Sequence, residues 1–170
     1  KYRVFWHSYL GFNSNSTLIY GEKDAILIDP PQLMSDAHQM AAEIIRMRLN
    51  LTHIYCSHFH PDHHFGLKVL LPAFPDAKAV GLKQSVHDII DSTNDKIDMW
   101  AFDRFGKYDI LDKTNIPLIL REPKLELEGE EIHFIGGFEG DSINNSIAWI
   151  PSIGVLCATD VAFHDCNLWP

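Results

Sequence analysis

The stretch His58-Phe59-His60-Pro61-Asp62-His63-His64 constrains this chain more than any other part of it. Four imidazoles and a carboxylate fall within seven positions, while the other six histidines are scattered over the rest of the 170 residues. Imidazole nitrogen and carboxylate oxygen are ordinary donors to zinc and related ions. His58 and His60 are two apart, so an extended backbone puts both on one side, within reach of one ion. Pro61 turns the chain, and Asp62 and His63 beyond it can serve a second ion nearby. Two such ions polarise a carbonyl or phosphoryl oxygen and bring the pKa of a shared water near neutrality. A solvated histidine-rich turn without metal is the competing reading of these residues alone.

The flanking pattern decides what kind of fold carries the cluster. Ser16 to Tyr20 and Ala25 to Asp29 are β-branched and apolar runs around Gly21-Glu22-Lys23-Asp24, which reads as a hairpin. Ala37, Met40, Ala41, Ile44 and Ile45 follow helical spacing, with Ser35 or Asp36 as the expected cap. Thr52 to Ser57 reads as a strand, and the cluster follows at its C-terminal end, where ligand sites collect in sheet-based folds. A short helix over His64 to Leu71 should stop at Pro72. A strand over Lys78 to Gly81 and a long helix over Leu82 to Trp100 come next. Ala101 to Pro123 reads as irregular, a candidate binding loop or lid, and Trp100 to Phe105 is an aromatic patch that could line a substrate pocket or plug the core. Four strands follow, over Lys124 to Leu127, Glu131 to Ile135, Ser146 to Ile150 and Gly154 to Ala158. This order predicts a layered α/β protein with a mixed sheet.

The motif His58-x-His60-x-Asp62-His63, with Gly66 after it, resembles the H-x-H-x-D-H signature of the metallo-β-lactamase superfamily. Leu27-Ile28-Asp29 looks like the hairpin strand that ends in Asp in that family, and Ala158-Thr159-Asp160 looks like the later strand that ends in a metal-bridging Asp. The likeness runs from about Asn15 to Val161. It implies a four-layer αββα sandwich with mixed sheets, as one domain over residues 1–170. The ending Asn167-Leu168-Trp169-Pro170 has no helix-capping or tail signal, so the native chain is expected to continue past Pro170. It implies two zinc ions: His58, His60 and a further residue on the first, Asp62 and His63 on the second, and Asp160 bridging. Asp62 is then the expected catalytic carboxylate, orienting water or accepting its proton. The implied activity is a metal-dependent hydrolase acting on a small-molecule ester, lactone, thioester or amide. The alternatives are an iron-dependent oxidoreductase on the same fold and a degenerate metal-binding protein without activity.

The sequence departs from the family in one place. Where a third histidine belongs, in a G-H-T-x-G-S-like segment about 20 residues before the bridging Asp, it reads Gly137-Phe138-Glu139-Gly140-Asp141-Ser142. Glu139 is the expected substitute, 21 residues before Asp160, and a carboxylate there favours Mn or Fe more than a third histidine would. His133 is a weaker candidate, and His64 reads as a surface residue beside a helix start. A later family histidine is not found; His164 lies only four residues after Asp160.

Composition limits the partners. The formal charge is -9, which disfavours general binding of nucleic acid or of an anionic membrane. Cys56, Cys157 and Cys166 form no C-x-x-C pair and lean towards a reducing, cytoplasmic compartment, although a start at Lys1 is compatible with a removed signal peptide. The sequence leaves the oligomeric state open.

Overall fold

A computed structural model describes residues 1–100, 109 and 113–163. The first sheet holds β1 (Tyr2–Trp6), β2 (Asn15–Tyr20), β3 (Asp24–Ile28), β4 (Asn50–Tyr55), β5 (Lys78–Gly81) and β6 (Leu118–Ile119), side by side in that order. β1, β2 and β3 pair antiparallel, and β3 to β6 pair parallel, so the sheet is mixed. The second sheet is antiparallel, ordered β10-β9-β8-β7, from β7 (Lys124–Leu127), β8 (Glu130–Phe138), β9 (Asn145–Ile150) and β10 (Val155–Cys157).

The sequence of β3 explains the layering. Its residues 25 to 28 are all apolar and all buried, as a strand covered on both faces requires. Ala25 and Leu27 join Met40, Ala41 and Ile44 of α1 (Met34–Arg46) and Leu67 and Leu70 of α2 (Leu67–Ala73). Ile26 and Ile28 point the other way, into a second cluster with Leu127, Ile132, Phe134, Ala148 and Ile150 of the second sheet. Each such buried side chain stabilises the fold by about 1.5–3 kcal/mol. Tyr55 stacks on Phe134 across the gap, with ring centroids 3.8 Å apart. α3 (Lys83–Trp100) adds Ile89 to the helix-side cluster. The expected α/β sandwich is therefore present, with one mixed sheet and one antiparallel sheet. Among the described residues it has three layers, with no α-helix on the outer face of the second sheet.

Several local expectations change. β1 and β6 were not anticipated, and β6 forms inside the stretch read as irregular. Residues 101–108 and 110–112 of that loop, and with them most of the aromatic patch, lie outside the described residues. α1 starts at Met34 with Leu33 as its uncapped N-cap, so neither Ser35 nor Asp36 caps it. The backbone N–H of Ser35 instead donates to the Asp109 carboxylate at 2.7 Å. Pro72 does not end α2, because the Phe74 N–H still reaches the Leu70 carbonyl at 2.9 Å and closes the last turn. No helix among the described residues is long and apolar enough to cross a membrane.

Candidate metal centre

Two chain segments of the first sheet place the histidine cluster. β4 ends at Tyr55, and the ladder continues one step further as the Cys56 N–H donates to the Val80 carbonyl. The chain then leaves the sheet, and His60 precedes a single 3-10 turn over Pro61–His63. Gly66 pins this loop against the exit of β3: its N–H donates to the Pro31 carbonyl at 2.7 Å. A Cβ at Gly66 would stand 2.7 Å from that same oxygen, so only glycine fits. Asp29, just past β3, adopts a left-handed φ of 56°, which Asp tolerates better than most residues. That turn aims its carboxylate at the cluster.

Asp29 then fixes the tautomers. Its Oδ1 accepts the Ser57 N–H at 2.8 Å, and its Oδ2 accepts the Ser57 hydroxyl at 2.7 Å and His63 Nδ1–H at 2.8 Å. The Ser57 hydroxyl has spent its only proton on Asp29, so it can only accept from His58 Nδ1–H, 3.0 Å away. Both histidines therefore turn Nε2 towards the same space. Both Nε2 atoms are buried without a hydrogen-bond partner. A donor held by its other ring nitrogen in this way is the ordinary arrangement of a metal-ligating histidine.

The second sheet supplies the facing carboxylates. The β8–β9 ladder shifts register between Gly136 and Phe138, where Gly137 has a φ of 84°. This bulge throws Glu139 to the solvent and carries the loop after it over the histidines. A Cβ on Gly140 would come 2.2 Å from the Asp160 carbonyl oxygen, so this glycine lets the two loops touch. Asp141 follows. Its Oδ2 lies 2.5 Å from His60 Nδ1, its Oδ1 lies 3.7 Å from His58 Nε2, and its side chain is only 7% exposed. Asn145, fully buried at the start of β9, donates from Nδ2 to Asp141 Oδ1 at 3.3 Å. Asp160 stands after Thr159, which is held at a φ of 48° and donates its hydroxyl to the Ser146 carbonyl at 2.7 Å. A β-branched residue in that conformation costs about 1–3 kcal/mol, the kind of strain found at functional sites.

One ligand atom from each of His58, His60, Asp141 and Asp160 lies within 4.8 Å of the others. Asp160 Oδ2 is 3.8 Å from His58 Nε2 and 3.2 Å from His63 Nε2, so it stands between the two histidines. Asp62 Oδ2 lies 3.4 Å from His63 Nε2. The structure thus brings together His58, His60, Asp62, His63 and Asp160. It does not bring in Glu139; the carboxylate that meets His58 and His60 is Asp141. His133 is also elsewhere, on β8 beside Glu131 at 3.2 Å. His64 is no surface residue: it is fully buried, with Nε2 against the Phe59 carbonyl at 3.2 Å. His164 lies outside the described residues. Asp141 precedes Asp160 by 19 residues and Glu139 by 21, so spacing alone could not choose between them.

The electrostatics match the geometry. Burial lowers the His58 pKa, and its close neighbour His63 lowers it further. Burial would also lower His63, but Asp160, Asp62 and Asp29 outweigh it and hold that pKa well above the ordinary value. Burial would raise the Asp62 carboxyl, yet His63 and then His58 bring it down to about 2. Burial opposes ionisation of Asp141 too, and His58 and His60 keep it far below the usual carboxylate range. The centre holds ionised carboxylates around imidazoles and calls for positive charge between them, which a proton or a cation can supply. Two imidazoles and two carboxylates meeting in one small space, with the unpartnered Nε2 of His58 among them, fit a divalent ion.

A family model described as the metallo-beta-lactamase superfamily matches residues 9–142, most of the chain. The chain belongs to the metallo-β-lactamase superfamily. The matched segment contains the histidine cluster and Asp141. Among solved structures, the crystal structure of BLEG-1 B3 metallo-beta-lactamase is similar at 16% identity over 92% of this chain and 70% of that one, with a TM-score of 0.65. A metallo-beta-lactamase from Pontibacter korlensis matches at 12% identity, over 84% of this chain and 58% of that one, with a TM-score of 0.63. The metallo-beta-lactamase IND-7 matches at 18% identity, over 84% and 57%, with a TM-score of 0.61. These likenesses are of fold, and the chain spans well under two thirds of the second and third proteins. No curated protein matches this sequence.

Proposed function

We propose that this superfamily member is a metal-dependent hydrolase of a small-molecule ester, lactone, thioester or amide, working with two divalent ions in a single domain. The observation that carries the reading is the pair of buried, unpartnered Nε2 atoms of His58 and His63, facing Asp141, Asp160 and Asp62. His58, His60 and Asp141 would hold the first ion, Asp62 and His63 the second, and Asp160 would reach both. Zinc is the ion that the family resemblance implies. When bound, such ions supply Lewis acidity and lower the pKa of water to near neutrality. The protein does the rest. Asp29 and Ser57 hold the imidazoles in one tautomer and one orientation. Asp62, ionised at neutral pH, orients the attacking water or accepts its proton.

The test is a panel of one aryl ester, one lactone, one thioester and one β-lactam, assayed before and after removal of metal with a chelator. Turnover of at least one substrate should vanish with the metal and return on its restoration. Asp62→Ala should lower kcat by about 100-fold or more while the fold persists. Metal-loaded protein that turns over none of the four would contradict the hydrolase reading.

A further inference from the structure

We propose that Asp141 sets the metal preference of the first site, moving it from zinc towards manganese or ferrous iron. The inference rests on reading this place as a metal centre, and it concerns which ion the centre takes.

The donor set is the first observation. His58, His60 and Asp141 are two imidazoles and one carboxylate, and Asp160 adds a second carboxylate to the same space. Imidazole suits zinc, copper and iron alike, whereas carboxylate oxygen suits harder ions such as Mn²⁺, and two histidines with one carboxylate are a known arrangement for ferrous iron. A third imidazole in place of Asp141 would be neutral and softer.

The second observation is that Asp141 is built in. Its side chain is nearly enclosed, whereas Glu139 two residues earlier is exposed. Gly140 permits the close approach that brings Asp141 beside the Asp160 loop, and the Asp141 N–H points back at the Asp160 carbonyl at 3.4 Å. Asn145 Nδ2 spans Asp141 Oδ1 and the Ser142 carbonyl, the latter at 2.7 Å, and so ties the loop to the start of β9. Ser85, on α3, donates to the Asn144 carbonyl from the other side. A carboxylate that only decorated a loop would need none of these contacts.

The third observation is the contact with His60. Nδ1 and Asp141 Oδ2 stand 2.5 Å apart, a hydrogen-bond distance. Two ligands of one tetrahedral ion stand about 3.3 Å apart, from bonds of roughly 2.0 Å. An ion held by both would part this pair, and the negative charge it would meet comes from Asp141. Zinc still binds more tightly than manganese or ferrous iron in absolute terms, as nearly every such site does. What Asp141 changes is the ratio.

The full chain, stripped by a chelator, is titrated separately with Zn²⁺, Mn²⁺ and, without oxygen, Fe²⁺. Dissociation constants come from competition with a chromophoric chelator, and circular dichroism checks the fold. In Asp141→His the advantage of Zn²⁺ over Mn²⁺ and Fe²⁺ should grow by about tenfold or more, equal to about 1.4 kcal/mol. In Asp141→Asn, which keeps the shape and removes the charge, Mn²⁺ affinity should fall further than Zn²⁺ affinity. Ratios unchanged in both folded variants would overturn this inference and leave the metal centre standing. A wild-type chain that binds none of the three ions would overturn both.

Discussion

At the residue scale, the centre depends on side chains that would touch no ion. Asp29 is the chief of these, since one carboxylate holds the Ser57 backbone, the Ser57 hydroxyl and His63 at once. Partners of this kind change metal affinity by about 10- to 100-fold when altered. Asp29→Asn keeps the turn, because Asn also tolerates the left-handed backbone, but it withdraws the charge that holds His63 Nδ1–H. It should weaken binding of both ions by up to that factor, the second through His63 and the first through Ser57 and His58, as read by stepwise metal titration. Unchanged binding of both ions in the folded variant would contradict the assigned role. The sequence showed His58, His60, Asp62 and His63 because they are contiguous and their spacing alone aims them together. Asp160 was legible only through the family resemblance, which expects an Asp after a late strand. Asp141 was not, because the bulge at Gly137 changes which residues face inwards, and nothing in the residue spacing reports a bulge.

At the scale of elements, the hairpin, the long helices and the strands of the second sheet were legible because their apolar periodicity is strong. β1 and β6 were not. β1 buries only Phe5 fully, so Tyr2–Trp6 carries no clear alternation, and a two-residue strand such as β6 has no period at all. The turn between β7 and β8 shows how distant elements are joined. Glu128 accepts the backbone N–H groups of Glu22, Lys23 and Asp24, at 2.7–2.8 Å, in the β2–β3 turn of the other sheet. Gly21 leaves room for that carboxylate, which a Cβ would meet at 2.3 Å. The three N–H donors lower the Glu128 pKa from 4.5 to about 2. A group depressed in the folded state stabilises it above the unfolded pKa, and that contribution fades as pH falls through the folded one. Urea midpoints of wild type and Glu128→Gln should therefore differ most at neutral pH, converge between about pH 4.5 and pH 2, and meet near its lower end. A gap that stays constant across that range would refute the bridge.

At the scale of the whole molecule, the two sheets carry opposite halves of the centre. His58, His60, Asp62 and His63 follow β4 of the first sheet, while Asp141 and Asp160 follow β8 and β10 of the second. The cluster of Ile26, Tyr55, Phe134 and Ala148 between the sheets sets the distance between these halves. Ile26→Ala should cost about 2–5 kcal/mol of stability and should also weaken metal binding, because the halves lose their common floor. By linkage, metal should in turn raise the unfolding free energy by about 2.7 kcal/mol at a hundred times its dissociation constant. The central claim is that both sheets contribute ligands to one centre, with Asp141 among them. The measurement that tests it most directly is the metal content per chain, by plasma mass spectrometry, of wild type, Asp141→Ala and Glu139→Ala purified side by side. The account predicts close to two ions in wild type and in Glu139→Ala, and close to one in Asp141→Ala. Loss of an ion from Glu139→Ala with none lost from Asp141→Ala, or a wild type that binds no metal, would contradict it.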